Sequence, residues 1–108
     1  MGRRPEYIAA DRYNLVKDEC RAYIVRAKAL SSSKIGDDVA MCYKMLNARF
    51  DDAAIAAVGS SYEATVLRED IAMSRGWCKS DLCSCTCVET YIFHKRAFVK
   101  AIAAMLGI

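Results

Sequence analysis

The chain has 108 residues, enough for one hydrophobic core and too few for two. Hydrophobic residues make up 55% of it and charged residues 27%, with one proline and five glycines, which excludes a disordered, collagen-like or linker-rich chain. The net charge of +3 is unevenly spread: residues 1–36 carry eight Lys/Arg against four Asp/Glu, 37–75 four against seven, and 76–108 four against two, so two basic ends flank an acidic middle and nucleic acid is permitted as a partner without being demanded.

The opening MGRRPEYIAADRY lacks an apolar core of export-signal length, and no apolar run nears the roughly 20 residues that span a bilayer. The expectation is a cytoplasmic protein without a membrane partner. Ala9, Tyr13, Val16, Cys20, Tyr23, Ala27 and Leu30 recur at alternating steps of four and three, which predicts one long amphipathic helix from about Glu6 to Leu30. Pro5 suits its first turn, and SSSKIG stops it with loop formers and Gly36. Asp37 and Asp38 open a second helix with Val39, Cys42, Leu46 and Phe50 on its inward face. Asp51 and Asp52 then restart the chain into a short AAIAAV helix that Gly59 ends. Ser60 and Glu63 form a capping-box pattern for a helix from about Ser61 to Arg75, with Ala64, Leu67 and Ile71 inward, and Gly76-Trp77 breaks it. Thr86 and Glu89 make a second capping box, from which a terminal helix runs to Leu106 before Gly107.

No stretch alternates apolar and polar residues as a strand does, and there is no internal repeat. The fold class is therefore all-α: a single domain over 1–108, a small bundle of about five helices.

Four of the six cysteines, Cys78, Cys83, Cys85 and Cys87, fall within the ten residues CKSDLCSCTC. Disulfides fit poorly in a reducing compartment, and Cys-x-Cys would close a strained ring. Four thiolates could hold zinc tetrahedrally, but the C-x4-C-x-C-x-C spacing lacks the paired knuckles of common structural sites. His94 cannot join Cys87 on one ion if both are helical, because seven residues span about 10 Å. The favoured reading makes the thiols small apolar fillers of a tight turn, with Cys20 and Cys42 serving alike on helices; no cofactor is expected, and zinc on the four turn cysteines stays open. A single histidine without an orienting partner, and the lack of a glycine-rich phosphate loop, argue against an enzyme or a small-molecule substrate.

On the terminal helix, Tyr91, Ile92, His94, Lys95, Phe98, Val99, Ile102, Ala103, Met105 and Leu106 fill a wide inward arc, and Glu89, Thr90, Phe93, Arg96, Ala97 and Lys100 lie opposite. A turn followed by a helix that offers Thr90, Phe93, Arg96 and Lys100 is what major-groove reading requires: bases for phosphate or guanine edges, a hydroxyl, and an aromatic ring for a thymine methyl. Thr86, Glu89 and Lys79, at the start of that helix and on the preceding turn, complete the candidate interface with double-stranded DNA.

The segment CVETYIFHKRAFVKAIAAMLGI resembles the ending of small phage-encoded late-gene transcription activators, whose last helix-turn-helix is similar to sigma-factor region 4. In that family a Ser-x-x-Thr start leads to a Lys-Arg pair and a Leu-Ala…Leu-Gly tail. Here Cys87 stands at the serine position, followed by Thr90, Lys95-Arg96, Ile102-Ala103 and Leu106-Gly107. The resemblance covers the last quarter of the chain and implies a DNA-binding transcription regulator of phage or mobile-element type. A competing helix-turn-helix reading lies in AAIAAVGSSYEATVLRED, through Gly59, Ser61, Thr65, Val66 and Arg68, but that segment is acidic and puts Glu69 where an apolar side chain belongs. The alternative function is an all-helical interaction module, a homodimer or a small phage-derived inhibitor, that uses Phe93, Ala97 and the apolar tail as a contact.

Overall fold

A computed structural model describes residues 7–32 and 34–108. The chain is all-α, and the described residues form four helices, α1 (Ala10–Ser32), α2 (Asp37–Val58), α3 (Ser61–Ala72) and α4 (Val88–Leu106), and one 3-10 turn at Trp77–Lys79. No described helix is long and apolar enough to cross a membrane.

Helix α1 starts later than its periodicity predicts and ends later; Glu6 and Pro5 lie outside the described residues. Its seam buries Val16 and Cys20 fully, with Tyr13, Tyr23 and Leu30 half-buried, whereas Ala9 and Ala27 are exposed. It also buries Arg26, whose Nε donates to Asn47 Oδ1 at 2.7 Å and whose Nη2 meets Glu19 Oε2. A charge is tolerated there because both arms of its fork find oxygen.

Helix α2 is one continuous rod, not two helices. Asp51 and Asp52 do not restart the chain, because Asp51 is satisfied within the helix: Oδ2 accepts the Tyr23 hydroxyl at 2.8 Å, and Arg68 lies 3.9 Å from Oδ1. The inward face also differs. Asn47, Phe50 and Ala54 are buried, while Val39, Cys42 and Leu46 are exposed, so the helix is rotated to bring Asn47 to Arg26. Gly59 ends it at φ 78°, a left-handed conformation that suits glycine. Ser60 then caps α3, its Oγ accepting from Glu63 N at 3.3 Å as expected. The return half of that capping box is diverted, since Glu63 Oε2 lies 2.7 Å from His94 Nδ1 on α4.

Helix α3 buries Ala64, Leu67 and Ile71 as its period predicts, but stops at Ala72 rather than Arg75. Ser74, at φ 57°, turns the chain away, and Arg75 N bonds back to Asp70 O at 2.7 Å. The core joins all four helices: Phe50 of α2 packs edge-on against Phe98 of α4 with ring centroids 5.8 Å apart, beside Val16, Leu67, Val99 and Ile102.

The most deeply buried polar side chain among the described residues is Asp70. It is 1% exposed and accepts the Tyr91 hydroxyl at 2.8 Å, with Arg75 Nε 3.3 Å from its other oxygen. Burial, then the bond to Asp70, pushes the Tyr91 phenol well above its ordinary value of 10.0. Below that value the phenol is protonated whether the chain is folded or not. At higher pH the unfolded chain releases the proton and the folded chain resists, so this contribution to stability is lost as pH rises through the folded value. Tyr91→Phe is therefore expected to lower unfolding free energy by about 1.5–3 kcal/mol at neutral pH. The wild-type advantage should shrink by about pH 11, as measured by urea unfolding at both pH values.

Candidate functional site

The chain from Met73 to Cys87 reaches α4 through a tight series of turns held from inside. Leu82 is buried, Ser80 Oγ accepts from Leu82 N at 3.1 Å, and the Trp77 indole donates to Thr86 O at 2.8 Å. Because Leu82 and Trp77 take the inward positions, the thiols turn outward. Cys78, Cys83, Cys85 and Cys87 are free and exposed, and so is Cys42. This corrects the expectation that these cysteines fill the interior; Cys20 alone does, and burial pushes its thiol up to about 12. Among the described residues, no three His, Cys, Asp or Glu side chains gather in a group that could hold a metal ion, the four turn cysteines included.

The start of α4 lies one residue beyond the expected capping box. Cys87 is the N-cap, so Glu89 and Thr90 take the second and third helical positions, and Thr86 stands outside the helix. No side chain caps the backbone there; Cys87 Sγ and Thr90 Oγ1 approach to 3.2 Å instead. Gly107 closes the helix in the left-handed conformation, φ 78°.

Across α4 the two faces separate sharply. Tyr91, Phe98, Val99, Ile102 and Ala103 are buried, while Glu89, Thr90, Phe93, Arg96 and Lys100 are exposed, Phe93 by 70%. Ile92 and Leu106, read as inward, are substantially exposed, so the buried arc is narrower than its apolar content suggests. Lys95 is turned toward the core side: Nζ donates to Arg75 O at 3.3 Å, and desolvation lowers its pKa against the pull of Asp70. His94 is half-buried beside Glu63. Arg96 lies over the Tyr7 ring, 4.9 Å from its centroid, which steadies the guanidinium without covering it. Lys79 is exposed on the 3-10 turn and Thr86 is half-buried under the Trp77 bond.

The compact helix-turn-helix is not formed around α4, because everything from Met73 to Cys87 separates it from α3, against the tight turn of about three or four residues in that motif. A tight link does exist between α2 and α3, only Gly59 and Ser60 long. There, however, Val66 is buried and Arg68 is spent, its guanidinium 3.9 Å over the Tyr23 ring. Glu69 is half-buried at the end of that helix, and the outward residues Ser61, Tyr62 and Thr65 carry no base. Among the described residues, exposed bases stand on α1 and α2 as well, Arg12, Lys28 and Lys44 among them, and Arg96 and Lys100 of α4 with Lys79 on the preceding turn are the ones that belong to the candidate face.

No protein-family model, curated protein or solved structure matches the chain.

Thiol reactivity checks the arrangement of the turn. Native protein prepared without chelator should release five thiols rapidly to an aromatic disulfide reagent and the sixth, Cys20, only on unfolding. Protection of the four turn thiols that a chelator removes would show a metal there.

Proposed function

We propose that the chain is a DNA-binding regulator of phage or mobile-element type that lays α4 in the major groove of double-stranded DNA. One observation carries this reading: the side of α4 away from the core is open along its length and presents Thr90, Phe93, Arg96 and Lys100. Arg96 and Lys100 lie one turn apart, so both cations reach one ligand surface, and Tyr7 holds the guanidinium outward. Phe93 and Thr90, a further turn toward the N-terminus, supply an apolar contact for a thymine methyl and a hydroxyl for a base edge. Lys79 flanks the start of the helix, where a phosphate would pass. Glu89 on the same face disfavours phosphate near the first turn and favours a cytosine amino group. The resemblance of the last quarter to late-gene activators supports the same assignment, with α4 packed chiefly on α2 and α1 and tied to α3 through Asp70 and Glu63.

The second reading, an interaction module, has its own support in Phe93, Ile92 and Val88, which form an exposed apolar cluster at the start of α4. Duplex DNA separates the two. Affinity for random duplex should fall as salt rises. Replacing Arg96 and Lys100 together by alanine should weaken it roughly tenfold or more and reduce the salt slope by about two, in a gel-shift or anisotropy titration. Unchanged affinity and slope in that double variant would exclude α4 as the groove-facing element.

A further inference from the structure

Helix α2 carries a second apolar seam that the bundle does not use. Met41, Met45, Ala48, Asp52 and Ile55 recur at steps of four, three, four and three, the spacing that keeps side chains in line along a helix that packs against another. All five are exposed, Met41 and Met45 by 66% and 67%, on the side opposite buried Asn47, Phe50 and Ala54. An outward helix face in a lone bundle ordinarily carries charge rather than two methionines and an isoleucine.

The seam is self-complementary about its middle. Ala48, the smallest of these side chains, stands seven residues from Met41 on one side and from Ile55 on the other; Lys44 precedes it by four residues and Asp52 follows it by four. Neither Lys44 nor Asp52 has an ion-pair partner among the described residues. If two α2 helices cross antiparallel with a two-fold axis at Ala48, each Met41 meets the other copy's Ile55 and each Lys44 meets the other's Asp52. Both contacts occur twice, as an isologous interface requires. A parallel pairing would set Lys44 beside Lys44 and Asp52 beside Asp52, which costs energy. Ala48 at the axis lets the backbones approach most closely where the rods cross, and the matched span from Met41 to Ile55 is about 21 Å long.

We propose that the chain forms a two-fold symmetric dimer through the outer face of α2, its partner being a second copy of itself packed antiparallel. This surface lies on a different helix from the α4 face, so the dimer stands or falls independently of DNA binding and is tested without DNA. Light scattering coupled to size exclusion, over a dilution series of the full chain, should show a concentration-dependent dimer. Ala48→Glu, which places two carboxylates at the axis, should weaken it roughly a hundredfold while leaving the helical circular dichroism unchanged, since Ala48 is exposed. Lys44→Glu and Asp52→Lys should each weaken the dimer roughly tenfold, and the two swaps combined should restore it. The proposal is overturned by a monomer at every concentration or by a dimer that Ala48→Glu leaves intact. Loss of the dimer with Phe93→Glu but not Ala48→Glu also overturns it, placing the contact on α4. Failure of the double swap to rescue overturns the antiparallel register.

Discussion

The buried Asp70 carboxylate fixes how the C-terminal half of the chain sits on the rest. It projects from near the end of α3 into a site that is nearly closed to solvent, and its polar partners among the described residues come from later in the sequence: Arg75 on the departing chain, Tyr91 on the first turns of α4, and Lys95 one turn on, whose charge it attracts. An isolated carboxylate there would cost several kcal/mol, and the chain offsets this with one hydroxyl donor, Tyr91, and the nearby positive charges of Arg75 and Lys95. Once Tyr91 and Lys95 are turned toward Asp70, helix geometry leaves little choice for the remainder of α4. Phe98, Val99 and Ile102 follow into the core, and Phe93, Arg96 and Lys100 go to water.

The connection before α4 follows from the same anchor. Leu82 and Trp77 seal the inside of the turn and Arg75 is held at Asp70, which leaves the cysteines as the residues that can face outward. The thiol-rich stretch is therefore a surface feature built on an apolar support, and its chemistry is that of accessible, separately placed thiols. This also explains why α3 stops where it does: past Ala72 the backbone must turn at Ser74 for Arg75 to reach back, and Lys17 of α1 bonds the Ser74 hydroxyl at that corner.

Where apolar residues dominate one face, periodicity located the helix and most of its buried side, as with Ala64, Leu67 and Ile71 of α3 and Tyr91, Phe98, Val99 and Ile102 of α4, though it did not single out Asp70. It failed where polar groups enter the core. The inward face of α2 contains Asn47, which pairs with Arg26, so a reader counting apolar residues chooses Val39, Cys42 and Leu46 instead. The outward methionine seam compounds the error, because both sides of that helix look hydrophobic. The supposed break at Asp51 and Asp52 has a similar cause: two acidic residues stop a helix when they cap, but Tyr23 and Arg68 reach Asp51 within the rod, and nothing local announces that. At the candidate site, the outward placement of Thr90, Phe93, Arg96 and Lys100 was legible from the 3.6-residue period. The Arg96–Tyr7 stack was not, since it joins distant parts of the chain, and neither was the exposure of the turn cysteines, which depends on Leu82 and Trp77 packing beneath them.

The central claim is that the Asp70 anchor leaves the far side of α4 open to a ligand, and hydroxyl-radical footprinting of the aromatic side chains addresses it directly. In the free protein Phe93 should be oxidised readily and Phe98 and Tyr91 protected, and addition of duplex DNA should extend protection to Phe93. Protection of Phe93 equal to that of Phe98 before any DNA is added, or reactivity of Phe93 indifferent to saturating duplex, would overturn it.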